Sequence, residues 1–222
     1  TPLEFADKKE SWVKSRFPLP TVRTWKELNG IPCIDTSEKL QKQSICTSRS
    51  FGEMIRDFDT LKASVSDFAA SCANKLRGQR SAASSVTVFI LSNRFREDLP
   101  QYCNGTTVTL EMPTSDTIEI TTAATKALKA IYRDGIHYKK AGVILGEITD
   151  ASYIQQDIFD RIQNRPERNL LMEGIDRLNH HYGLKTVRLA AEGEPSLLWH
   201  PKSEHKSGNY LSDLNEILTI RI

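Results

Sequence analysis

The strongest constraint on this chain is a change of apolar period inside one stretch. Phe58, Leu61, Val65, Phe68, Cys72 and Leu76 recur at steps of three and four, the spacing that puts side chains on one stripe of a helix. Some thirty residues later the period is two. Across residues 106–112, Val108, Leu110 and Met112 fall on one side and Thr107, Thr109 and Glu111 on the other, as in a half-buried strand. A second stripe of Ile120, Ala124, Ala127, Leu128 and Ile131 predicts a second helix. Residues 45–51, 85–91 and 139–148 are β-branched or apolar and read as three more strands. Asp59 is expected to cap the first helix, with Gly78 just past its end. Asp116 with Glu119 makes a capping-box-like start for the second, which Gly135 stops. Gly52 and Pro113 are expected to end the first and third strands. The order is therefore β-α-β-β-α-β, an α+β, ferredoxin-like arrangement in which two helices cover one sheet face and a polar face is left open.

The flanks divide the rest. Residues 1–40 are interrupted: Pro18 and Pro20 separate a short polar helix from a second one over 22–29, which Gly30 and Pro32 end. The core pattern occupies 41–150. Residues 151–163 are polar with one apolar pair and read as a linker. Residues 164–222 form a small α+β unit. Its helix starts near Pro166, carries a stripe of Leu171, Ile175 and Leu178 and ends at Gly183. Short strands are expected at 186–191, 197–200 and 217–222.

Composition narrows the function. Thirty basic residues against 28 acidic ones leave a net charge of +2, so any nucleic-acid binding must come from local clusters. Cys33, Cys46, Cys72 and Cys103 show no Cys-x-x-Cys spacing, and His180 and His181 are adjacent; this argues against zinc and for a reducing, cytoplasmic setting. The longest apolar run, near residues 86–91, is too short for a bilayer. No secretion signal opens the chain, and a start at Thr1 points to a trimmed piece.

Five stretches carry a resemblance. Cys46-Thr47-Ser48-Arg49-Ser50-Phe51-Gly52-Glu53 and Tyr138-Lys139-Lys140-Ala141-Gly142-Val143 resemble the first and last little-finger strands of UmuC-type, Y-family translesion DNA polymerases. Phe68-Ala69-Ala70 through Lys75-Leu76-Arg77 is similar to the first helix of that domain. Arg23-Thr24-Trp25-Lys26-Glu27-Leu28-Asn29-Gly30-Ile31-Pro32-Cys33 is similar to the end of the family's thumb. Residues 164–222 resemble its small C-terminal domain. The resemblance implies copying past damaged bases in the SOS response. It also implies Mg2+ held by palm carboxylates that have no counterpart here, so no catalytic residue is assigned. Asp57 and Asp59 are explained by helix capping. As partners the resemblance implies damaged primer-template DNA, a bacterial sliding clamp, a UmuD-type accessory protein and a RecA-type filament.

A polymerase that accepts distorted templates has to hold the duplex by its backbone, because phosphate contacts position without reading sequence. Cations beside hydroxyls on neighbouring strands suit that task. Ser48, Arg49 and Ser50 lie on the first strand, Arg80, Ser85 and Thr87 lead into and along the second, Arg94 stands at its far end, and Lys139 and Lys140 lie on the fourth. In the linker, Gln155-Gln156-Asp157-Ile158-Phe159 resembles the pentapeptide by which bacterial polymerases bind the clamp, with Gln155, Ile158 and Phe159 as anchors and Gln156 in place of the usual leucine. Trp12, Trp25 and Trp199 are expected to pack rather than stack on bases. Two other readings share the topology. An RNA-binding module would need aromatic platforms on its strands, for which Phe51 and Tyr138 are the candidates. A small-molecule-sensing domain would need a pocket that nothing in the sequence marks.

Overall fold

The computed structural model describes residues 1–33, 42–153, 162, 164–193 and 206–210. They fall into two compact units, one ending at Gln41 and one beginning at Lys42. The first holds three short helices: α1 (Pro2–Ala6), α2 (Glu10–Arg16) and α3 (Leu19–Leu28). Val13 and Val22 are buried. Trp25 donates its Nε1 proton to the Ala6 carbonyl at 3.0 Å, and Trp12 packs on Phe17 with Arg16 over its ring, so both indoles serve packing. Pro20 lies within the first turn of α3 rather than ahead of it, because a proline lacks only an N–H that the first turn cannot use. Trp199 lies outside the described residues.

The second unit is α+β. Strand β1 (Ile45–Ile55), helix α4 (Phe58–Gly78), strands β2 (Ser81–Ser92) and β3 (Cys103–Thr114), helix α5 (Thr117–Ile131) and strand β4 (Tyr138–Asp150) follow the expected order. The sheet order is β1-β4-β2-β3 with every pair antiparallel. Both crossovers are thus split: β4 lies between β1 and β2, and β2 lies between β3 and β4. The central strands are β4 and β2, an outcome the element order alone leaves open. Pro113 does not end β3, since an edge strand tolerates a missing donor. β1 also runs past Gly52, through a register shift after Ser50, where the Lys139 ammonium donates to the Phe51 and Gly52 carbonyls.

Helices α4 and α5 cover one face of the sheet. Leu61, Val65, Phe68, Cys72 and Leu76 from α4 meet Ile120, Ala124, Ala127, Leu128 and Ile131 from α5 and the inward residues Val86, Val88, Ile90, Val143 and Leu145. Burial pushes the Cys72 thiol above its ordinary pKa. The α4 cap is Asp57, whose carboxylate accepts from the Thr60 amide at 2.7 Å, not Asp59. Asp116 caps α5 by accepting from the Ile118 amide, while Glu119 is engaged by Arg165.

Helix α6 (Arg165–Tyr182) begins with Pro166 in its first turn and stops before Gly183, as expected. Its buried stripe is not the expected one. Leu171 and Leu178 are exposed, Ile175 is half-buried, and Met172 faces inward. The same side carries Arg165, Arg168 and Asp176, which pair with Glu119, Asp116 and Arg77. The stripe was misread because polar side chains, not leucines, make most of the seat. Nor do residues 186–191 form a strand. Val187 spends its amide and carbonyl on the Asn179 side chain, each at 2.8 Å, and Leu189 spends its amide on Glu192 in a 3-10 turn, Ala190–Glu192. The strands expected at 197–200 and 217–222 lie outside the described residues, as do Gln155, Ile158 and Phe159.

Candidate nucleic-acid interface

Side chains alternate along a strand, so the register assigns each to a face. Ala141, Val143 and Leu145 of β4 belong to the core, which leaves Lys140, Gly142, Ile144 and Gly146 on the face away from the helices. The pairing carries that face sideways. On β1, Ser50, Ser48 and Cys46 stand opposite Lys140, Gly142 and Ile144. On β2, Leu91, Phe89, Thr87 and Ser85 stand opposite Lys140, Gly142, Ile144 and Gly146. On β3, Cys103, Gly105, Thr107 and Thr109 continue the same rows. The Thr87 and Thr107 hydroxyls bond to each other at 2.8 Å.

Five of the expected residues therefore fall on the face away from the helices: Ser48, Ser50, Thr87 and Lys140, and Ser85, which is buried there against Gly146. Four are not. Arg49 alternates to the helix side of β1, next to Thr47, which bonds Cys72 and Lys75 of α4. Lys139 sits at the register shift between Tyr138 and Lys140, and its ammonium donates to the Phe51 and Gly52 carbonyls at the β1 irregularity. Arg80 precedes β2 with φ 55, and its carbonyl accepts from Ala151. Arg94 follows β2 at the other end; a strand of 12 residues keeps the two arginines apart, by roughly 35 Å at the usual rise per residue. The face is thus rich in hydroxyls across its middle, with Lys140 as its cation among the described residues and Arg94 in the loop that follows β2. Glu111, near the end of β3, brings a negative charge to the same edge. Such a surface can donate hydrogen bonds to phosphate oxygens and add a few point charges, but it offers no constellation for covalent chemistry.

Two features were missed in the sequence. The first is Phe89, which lies on the open face of a central strand. The end of its ring fills the space a Gly142 Cβ would need, with Cζ 2.3 Å from that position. A glycine inside a strand is the signal that marks such a close approach. The second is the β2–β3 connection. There the Gln101 carboxamide donates to the carbonyls of Asn93, Arg96 and Leu99 at 3.2, 2.8 and 3.1 Å. Arg96 makes a two-point pair with Asp98, and the hydrogen bond from Arg96 holds the Asp98 pKa down to about 2. By contrast, the aromatics on which an RNA-binding reading depends are unavailable. Phe51 is 1% and Tyr138 0% exposed, both in the core beneath the helices, so the fold does not support that reading.

The acidic residues near helix starts do not form a metal site. Asp57 and Asp116 are occupied as caps, and among the described residues no three of His, Cys, Asp or Glu gather as a cation would require. Magnesium chemistry does not fit these side chains, and no step through it is assigned to them. Among the described residues no helix is long and apolar enough to cross a membrane.

The comparisons with known proteins follow the same division of the chain. Residues 42–158 match the impB/mucB/samB family C-terminal domain, and residues 169–220 match a domain of unknown function, DUF4113. Over its whole length the chain is 35% identical to Protein UmuC and 36% identical to Protein ImpB, both of Salmonella typhimurium, and it covers 52% of each. Protein SamB of the same organism is 36% identical over 81% of the chain, which covers 43% of that relative. The chain thus spans about half the length of the curated relatives it matches.

Proposed function

Because this chain belongs to the impB/mucB/samB family, within the UmuC-type group of Y-family polymerase proteins, we propose that its 42–150 domain grips primer-template DNA during translesion synthesis, an error-prone bypass of damaged bases. The observation that carries this reading is the open sheet face on which Ser48, Ser50, Thr87 and Lys140 converge. Hydroxyls and a cation spread over adjacent strands fit a sugar-phosphate backbone, and they position a duplex without reading it. That is the need of an enzyme whose template bases are altered.

In this reading the nucleotidyl transfer, with its Mg2+, belongs to other parts of the polymerase, and the present residues supply grip. The reading extends to a sliding clamp bound through Gln155, Ile158 and Phe159, and to a UmuD-type accessory protein and a RecA-type filament as further partners. An apolar pair in a polar segment concentrates affinity in two anchors.

Fluorescence anisotropy with labelled primer-template DNA tests the grip. Lys140→Ala and Arg94→Ala should weaken all duplex sequences alike, and each should lower the slope of log affinity against log salt by about 1. Duplex binding that is unchanged in the double variant, or weakened for one sequence only, sinks the backbone reading. Titration with the cognate clamp tests the second part: replacing Ile158 and Phe159 together with alanine should abolish binding while leaving DNA affinity intact.

A further inference from the structure

The connection between β2 and β3 holds one side chain out of the fold at considerable structural expense. Phe95 is 86% exposed, yet the loop that carries it is tied at nearly every turn. Beyond the three carbonyls gathered by Gln101, the Asn93 carboxamide oxygen accepts from the Phe95 amide at 3.1 Å. Ser92 donates its hydroxyl proton to Gln101 Oε1 at 3.1 Å and accepts from the Tyr102 amide at 2.8 Å. The Arg96–Asp98 pair closes the outer turn. An exposed phenylalanine on a loose loop could fold back onto the protein; this one is held outward by its own backbone.

A rigid aromatic has few torsions left to lose, so it binds a flat apolar partner at low entropic cost. The loop leaves the sheet at the row of Leu91, Lys140 and Ser50, where the open face carries its cation. Arg94 precedes Phe95 and adds a second. Phosphate-binding groups therefore stand beside a protruding π-face, the combination that captures single-stranded nucleic acid.

We propose that Phe95 is a stacking post for an unpaired nucleobase, placed where the single-stranded part of the template leaves the duplex lying on the sheet. This rests on the DNA-gripping reading above. Inside a duplex the base faces are stacked on one another and reach no side chain; an overhang has unpaired bases that can swing onto one.

The experiment uses the full chain with three probes of common sequence: a blunt duplex, the same duplex with a single-stranded template overhang, and that overhang carrying 2-aminopurine at successive positions. Phe95 packs against little, so Phe95→Ala should fold normally, as circular dichroism would verify. It should bind the blunt duplex within twofold of the parent and lose roughly tenfold on the overhang probe, the range of one base–aromatic stack. The 2-aminopurine signal should change on binding at one overhang position, and only in the parent chain. Gln101→Ala, which frees the loop, should reproduce part of the loss. Equal affinity of parent and Phe95→Ala for the overhang probe overturns the proposal and leaves the ring to a protein surface. An equal loss on both probes overturns it too, because the contact is then with duplex. If Lys140→Ala and Arg94→Ala leave blunt-duplex binding unchanged, it is the grip itself that fails.

Discussion

The two faces of α4 and α5 are covered in opposite ways. Toward the sheet they bury an apolar layer in which Leu61, Phe68, Leu76, Ile120 and Leu128 are fully enclosed. Toward α6 and the segment that follows it they present charge: Arg77 pairs with Asp176, Asp116 with Arg168, Glu119 with Arg165 and Asp67 with Lys185. Met172 is the fully buried apolar side chain of α6. The first interface is held by removing apolar surface from water, which salt barely alters. The second is held by partly buried ion pairs, whose gain is offset by desolvation. α6 should therefore behave as a separable layer on a stable platform.

The largest expected effect lies in the platform. Phe68→Ala should cost about 3–5 kcal/mol and lower the urea midpoint of the whole 42–193 region. Uniform loss of amide protection across the sheet would accompany it; a loss confined to α6 would invert the comparison. Met172→Ala comes next, at about 2–3 kcal/mol, and should appear as faster exchange in α6 with the sheet unchanged. Asp176→Asn removes the charge that Arg77 pairs with and one of the two carboxylate oxygens that accept from Arg77 and Asn74; it should loosen α6 by about 1–2 kcal/mol, and trypsin cleavage within α6 is the measurement.

Acidity sharpens the contrast because the carboxyls of the seat shift in opposite directions. Burial pushes the Asp176 pKa upward, but hydrogen bonds from Arg77 and Asn74 outweigh it, so the value lies below the ordinary 3.8. Its stabilisation is present above the ordinary value and is lost as pH falls through the lowered one. Burial wins for Glu119 and Glu192, whose values lie above 4.5. Their folded state prefers the proton, a contribution present at low pH and lost as pH rises through the raised value. Amide protection in α6, taken relative to the intrinsic exchange rate at each pH, should thus hold between pH 7 and 5 and fall once pH drops below the usual aspartate range. A fall in protection near pH 5 would show that attraction to Arg165 outweighs burial at Glu119. The smallest effect is at the exposed Arg96–Asp98 pair, where Asp98→Asn should change global stability by less than ~0.5 kcal/mol in a urea titration.

Legibility followed the same divide. The helices and strands of the platform were readable because one solvent, the apolar core, selects every inward residue, and its period shows in Leu61, Val65 and Phe68 or in Val108, Leu110 and Met112. The α6 stripe was misread because ion pairs select by partner, and a sequence does not say that Asp176 will meet Arg77. The candidate site was half legible. Hydroxyls and cations on three strands could be named, but which face each position takes, Lys140 away from the helices and Arg49 on the side of Ala141, emerges only from the pairing.

By itself, then, the sequence determined the fold class, the order of the elements, the cap at Asp116, the first turn at Pro166, and the family. Each depends on neighbours a few residues apart or on a pattern repeated along one element. The tertiary structure alone decided that β4 and β2 are central and that Phe89 lies over Gly142 on the open face. These depend on which distant backbones are brought side by side, and pairing across more than fifty residues leaves no mark on the local spacing of side chains.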